Sequence, residues 1–219
     1  MTLTRRPLFY GLCLLSGSLL LSVAGLVHPR LVGEGAAQLA TVAATTGWRA
    51  IHWALLFAFP LMYVGLIGVA LRHGDTPGSA PARAGILLGA FAFGVWTLNV
   101  LFMVGAGWQL AHAFATSDKA LTATRAVFLY DMLHPAGLAA ERLATFTLGL
   151  VAYVFGWAIL NGQVCPRWLG WAAFVVAATN AAVAVGFNEF SPNLYYGQAL
   201  FVTWLVATAA VMLTERRAV

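Results

Sequence analysis

Residues 130 to 160 read YDMLHPAGLAAERLATFTLGLVAYVFGWAIL. The second half of the stretch, TFTLGLVAYVFGWAIL from Thr145 to Leu160, holds no charged side chain. With the small apolar residues just before it, it makes a run near the ~20 residues needed to cross a hydrocarbon core. Yet Tyr130, Asp131, His134, Glu141 and Arg142 stand directly ahead of it. A fold that places the second half in lipid has to give those five side chains partners or water.

The rest of the chain speaks for lipid. Of 219 residues, 61% are hydrophobic and 9% charged, where soluble domains carry roughly 25% charged residues. Such a composition cannot clothe a water-facing surface, and the expectation is an all-α, polytopic membrane helix bundle formed as a single domain over 1–219. Uncharged runs place six spans at about 8–27, 50–71, 84–105, 137–160, 168–187 and 197–213. The connecting RHGDTPGSAPAR and NGQVCPR segments are turn-rich and lie on one side. Cys13 and Cys165 form no CxxC pair or zinc pattern and read as small apolar side chains.

Charge sets the expected orientation. Arg5, Arg6, Arg72, Arg83, Arg167, Arg216 and Arg217, opposed by Asp75 and Glu215, fall on one side and account for the whole net charge of +5. Arg30, Arg49, Lys119, Arg125 and Arg142 on the other side are balanced by Glu34, Asp118, Asp131, Glu141 and Glu189. The positive-inside rule then puts both termini in the cytoplasm. It also explains the basicity without nucleic acid. Thr4-Arg5-Arg6, an apolar run and Ser22-Val23-Ala24 resemble a secretory signal, but about 20 apolar residues exceed the 7 to 15 of a signal core, so the run reads as a span.

Between the third and fourth spans, Ser117-Asp118 forms a helix start, and Leu121, Arg125, Phe128, Leu129 and Met132 recur at three- and four-residue spacing. The expectation is an interfacial helix over about 118–133 on the outer face. His134-Pro135 is expected to end it before the chain turns into the fourth span.

Polar residues within the spans gather at the outer end. His28, His52, His112 and His134 map there, and His73 alone maps inside. Arg49, His52 and Trp53 are expected to share a helical face. Asn99, Thr145 and Asn180 lie in outer portions of their spans, and Glu189, Tyr195 and Tyr196 in the last outer loop. The inner halves offer little beyond Ser16, Ser18 and Tyr63. The candidate ligand or cofactor residues are therefore Arg49, His52, Asn99, His112, Asp131, His134, Glu141 and Asn180. Glu141 is expected to point into the bundle and meet Arg49, His52 or Arg125.

Each has a plainer reading. Arg49 and Arg142 can snorkel to the interface. Trp48, Trp53 and Trp108 outside, with Trp157, Trp168 and Trp171 inside, suit an aromatic belt. Asn99 and Asn180 suit interhelical hydrogen bonds. Among chemistries, no HExxH or other short zinc spacing and no GxSxG elbow occurs. Haem b would draw axial ligands from His52 with His112 or His134. Alternating-access transport would call for broken helices or repeats, of which Pro60 is the one hint.

The motif Val164-Cys165-Pro166-Arg167-Trp168-Leu169-Gly170-Trp171, the His-Pro-Ala-Gly opening of the fourth span and the Trp-Arg-Ala-Ile-His start of the second resemble small bacterial six-helix membrane proteins classed as domains of unknown function. The resemblance implies a bacterial six-helix fold and no activity. The function expected from the residues is an outward-opening polar pocket for a small amphipathic ligand or cofactor, surrounded by membrane lipids. Alternatives are a non-catalytic subunit or assembly partner of a membrane complex, and a redox-linked enzyme using haem or quinone.

Overall fold

The computed structural model describes residues 6–187, 191 and 193–214. Its helices run in the order α1 (Arg6–Val27), α2 (Gly35–Ala44), α3 (Trp48–His73), α4 (Ser79–Phe102), a π turn (Met103–Gly107), α5 (Trp108–Thr116), α6 (Ala120–Gly162), α7 (Arg167–Gly186) and α8 (Asn193–Thr214). Six segments are long and apolar enough to span: Leu8–Val27, Trp48–His73, Ser79–Thr116, Ala120–Gly162, Arg167–Gly186 and Asn193–Thr214. The all-α bundle with six candidate spans is therefore the fold, and it makes the protein a multi-pass membrane protein in lipid contact. Glu189 and the basic residues 5, 216 and 217 lie outside the described residues.

The bundle is built from pairs. The most extensive contacts join α4 to α6, α1 to α3 and α6 to α7, with α8 closing against α1 and α7. Lipid is as apolar as leucine, so close backbone approach has to supply the packing gain. At the α1–α3 contact a β-carbon added to Gly65 would lie 2.5 Å from the Leu14 β-carbon. Only glycine lets these backbones meet there. The main core runs through the middle of the bundle with Phe59, Met62, Leu66, Leu148, Phe155 and Leu205 fully buried or nearly so. A smaller apolar core of Leu39, Val42, Trp48, Met103, Ala111, Ala126 and Tyr130 caps one end. Trp53, Trp157, Trp168 and Trp171 are exposed, as interface residues are.

Several expectations need correction. The helix begun after Ser117-Asp118 does not stop at His134-Pro135 but continues as α6 to Gly162. Pro135 removes one backbone donor, but packing on both sides of it holds the helix together, so its loss costs a bond and not the element. At 1.5 Å per residue α6 is about 65 Å long, roughly twice a hydrocarbon core, so it both spans and projects. Of the 118–133 segment, residues 120–133 are thus roughly its first third. Its Leu121, Phe128, Leu129 and Met132 face outward, and Ala126, Tyr130 and His134 face inward. Pro60 likewise sits inside an unbroken α3. Trp48 is no belt residue: it is 1% exposed, and its indole N–H donates to the Met103 carbonyl at 3.0 Å, in the π turn. The small helices α2 and α5 were not foreseen. Both are too short to span and gain their stability from the capping core.

Candidate functional site

The buried face of α6 carries Tyr130, His134, Glu141 and Thr145 at four- and seven-residue intervals, which is one helical stripe. Between them they meet α2, α4 and α8. The Tyr130 hydroxyl donates to Gln38 Oε1 at 3.0 Å, and the Gln38 amide donates to the Gly33 carbonyl at 2.8 Å. This chain ties α2 to the projecting half of α6. His134 stacks on Tyr130 with ring centres 4.6 Å apart and lies near-parallel to Phe102 at 6.1 Å.

Seven residues further along, Glu141 points into the bundle, as expected of it. Asn99 Nδ2 on α4 donates to Glu141 Oε2 at 2.8 Å, and Gln198 Nε2 on α8 donates to Glu141 Oε1 at 3.0 Å. Gln198 Nε2 also donates to Thr145 Oγ1 at 3.0 Å, while the Thr145 hydroxyl donates to the Glu141 backbone carbonyl at 3.0 Å. The carboxylate therefore bridges three helices through neutral amides. The cationic partners expected from depth, Arg49, His52 and Arg125, do not reach it. Arg49 and Arg125 are exposed, and Arg49 sits 5.0 Å above the Trp108 ring. Arg142, next to Glu141, turns away so that its Nε donates to the Ala184 carbonyl of α7 at 2.6 Å. Tyr195 is within electrostatic range of both Glu141 and Arg30.

The cage is close-fitting. A β-carbon on Gly137 would stand 2.6 Å from Asn99 Oδ1, a buried atom with no hydrogen-bond partner among the described residues. Gln198 is the residue that sequence reading missed. A glutamine in an apolar helix with Gly197 before it is a weak signal alone, and only the tertiary fold puts it opposite Glu141. Asn180 holds the same region together: its Nδ2 donates to the Val176 carbonyl in its own helix and to the Gly197 carbonyl of α8, both at 3.0 Å. Its observed role is the interhelical one.

A cleft of about 360 Å³ opens beside the stripe, lined by Gly33, Glu34, Gly35, Gln38, Asp131, His134 and Pro135. Asp131 lies against Gly35, the first residue of α2, where any side chain would collide with its carboxylate. Helix N-termini favour such negative charge. With Glu34 the cleft carries two exposed carboxylates and a buried imidazole.

The remaining histidines do not join this site. Arg49, His52 and Trp53 fail to share a face, because His52 is buried while Arg49 and Trp53 are exposed. His52 instead packs on Trp48, ring centres 4.2 Å apart, and its Nε2 is 3.3 Å from His28 Nε2. Burial pushes the His28 imidazole below the usual histidine range, so it is neutral at pH 7. His112 is exposed on α5 and stacks parallel to Trp108 at 5.5 Å. His52, His112 and His134 thus occupy three different ring stacks.

Comparison with protein-family models, with curated proteins and with solved structures finds no match to this chain.

Proposed function

We propose that this membrane protein binds the positively charged group of a small amphipathic molecule at Glu141, admitted through the cleft beside His134. The observation that carries the reading is a buried carboxylate whose two donors, Asn99 and Gln198, are uncharged. Amides satisfy its lone pairs but do not balance its charge. In an apolar medium an ionised carboxylate needs a cation or a proton, and such intramembrane acids mark functional sites. The acidic lining of the cleft, Glu34 and Asp131, attracts a cation before it meets the buried site. The His134 ring in the cleft, stacked on Tyr130 and Phe102, suits an amphipathic body.

In this reading the cleft opens outward, both termini are cytoplasmic, and the membrane is the bacterial inner membrane. Support comes from the asymmetric basic charge and from the resemblance to small bacterial six-helix proteins. The subunit alternative is supported by the outward apolar stripe of Leu121, Phe128, Leu129 and Met132, a surface that a partner helix could cover as well as lipid. The haem alternative is not carried forward, since its candidate histidines stand in different stacks.

The test is saturable binding of a dansyl-tagged alkylamine to the detergent-purified protein, followed by fluorescence. A hydrogen-bonded charge interaction of about 1.5–3 kcal/mol converts to a roughly 10- to 150-fold loss of affinity in Glu141→Gln. Asp131→Asn, at the entrance, weakens binding less and in a salt-dependent way. Identical titrations for wild type and Glu141→Gln would remove Glu141 from the binding reading.

A further inference from the structure

We propose that the groove between α6 and α7 binds one anionic phospholipid, with an acyl chain lying in the groove and the phosphate held at Arg167, independent of the Glu141 site. The groove has a volume of about 440 Å³, within the roughly 300–1,000 Å³ of small-molecule sites. Phe146, Leu150, Tyr153 and Trp157, at four- and three-residue steps along α6, form one wall, and Phe174 and Ala178 of α7 stand opposite. Phe174 meets Tyr153 and Trp157 with ring centres 5.4 and 5.8 Å apart, and Trp171 at 5.7 Å. One end of the groove is therefore a cluster of rings. Trp157 lies eleven positions after Phe146, about 17 Å along the helix at 1.5 Å per residue. That is close to the ~15 Å of hydrocarbon in one leaflet. A partner helix needs a face running the whole ~30 Å of the core, whereas the chain of a single lipid needs one leaflet.

Charge selects the lipid. The ring cluster lies toward the end of the bundle where α6 stops at Gly162 and α7 starts at Arg167. Arg167, Trp171, Phe174 and Ala178 follow one another at four-, three- and four-residue steps, so the arginine continues the stripe that walls the groove. Helical side chains lean toward the N-terminus of their helix. The exposed Arg167 stem therefore runs on from the rings toward the headgroups, where its guanidinium reaches water. Residues 142–188 contain no Asp or Glu, so neither wall of the groove brings an acid to this cation. An anionic phospholipid supplies what both ends of the site call for, an apolar chain and a phosphate whose charge its own headgroup does not cancel. A zwitterionic lipid carries a cation of its own beside the phosphate. Basic positions between spanning helices bind acidic headgroups for this reason, and the Trp171 indole, between Arg167 and the rings, adds an N–H donor at the level of the glycerol esters. Belt tryptophans alone accept any lipid, but the arginine at the mouth makes this groove selective.

The experiment is native mass spectrometry of the full chain in detergent, titrated with phosphatidylglycerol or with phosphatidylcholine carrying the same palmitoyl and oleoyl chains. Expected is a first phosphatidylglycerol that saturates at one per chain, with the first phosphatidylcholine at least about fivefold weaker, the conversion of about 1 kcal/mol per basic residue at an acidic lipid surface. Arg167→Gln brings phosphatidylglycerol down to the phosphatidylcholine level. Ala178→Phe, at an exposed position where folding is preserved, fills the groove and weakens the first phosphatidylglycerol although Arg167 is still in place. Equal affinity of the wild type for the two lipids, or a preference that survives in Arg167→Gln, overturns the assignment of the phosphate to Arg167. Full phosphatidylglycerol affinity in Ala178→Phe overturns the groove, because charge at the helix end would then hold the lipid by itself.

Discussion

Substituting Asn99→Leu removes the one donor that Glu141 Oε2 has among the described residues, while Oε1 keeps Gln198. Leucine keeps asparagine's branching but is bulkier, so the single change mixes the bond with the space and the comparison below separates them. A hydrogen bond to a charged acceptor is worth about 1.5–3 kcal/mol in soluble proteins. Cycles inside a membrane protein average about 0.6 kcal/mol with a maximum near 1.7. Because this acceptor is a carboxylate and its donor is buried, we place Asn99→Leu at about 1–2 kcal/mol. For a chain of this size that is a fall of roughly 2–8 °C in Tm. The assay is thermal unfolding in detergent, read by a thiol-reactive dye that reports exposure of the buried Cys165. The decisive comparison is the same substitution in a Glu141→Gln background. A neutral acceptor weakens the bond, and the Asn99→Leu effect should shrink by half or more. Additivity within about 0.5 kcal/mol would refute the reasoning, since Asn99 would then act through its packing against Gly137 and not through the carboxylate.

Two further outcomes follow from the packing. Gly65→Val forces α1 from α3 at the Leu14 contact and should lower Tm by more than about 5 °C, whereas Gly94→Ala, whose added carbon meets nothing within 4 Å, should raise stability by about 0.5–1 kcal/mol; a destabilised Gly94→Ala or a neutral Gly65→Val in the same dye assay contradicts the helix pairing. The turn around Thr76, beside Arg72 and His73, is expected on the cytoplasmic side, so Thr76→Cys should react with an impermeant maleimide only in inverted vesicles, and labelling in intact cells reverses the orientation.

What the chain alone determined is the class of fold. Runs such as Thr145–Leu160 cannot be solvated, and their length and number commit the protein to spanning helices whatever the contacts between them. The side on which Glu141 would face could also be read, because a carboxylate in lipid has a large penalty and the bundle interior is the alternative. Its partners could not. Depth along the sequence made Arg49, His52 and Arg125 candidates, but rotation of α3 and α6 about their axes decides which faces meet, and hydropathy is nearly uniform around these helices. Tertiary packing turned Arg49 outward and brought Asn99 and Gln198 to Glu141. It also carried α6 through Pro135, where local preference alone would end a helix, because contacts from α2, α4 and α5 on the projecting half outweigh one missing backbone bond. The His28–His52 pair is of the same kind: its members are 24 positions apart, and only the α1–α3 pairing sets their nitrogens at 3.3 Å.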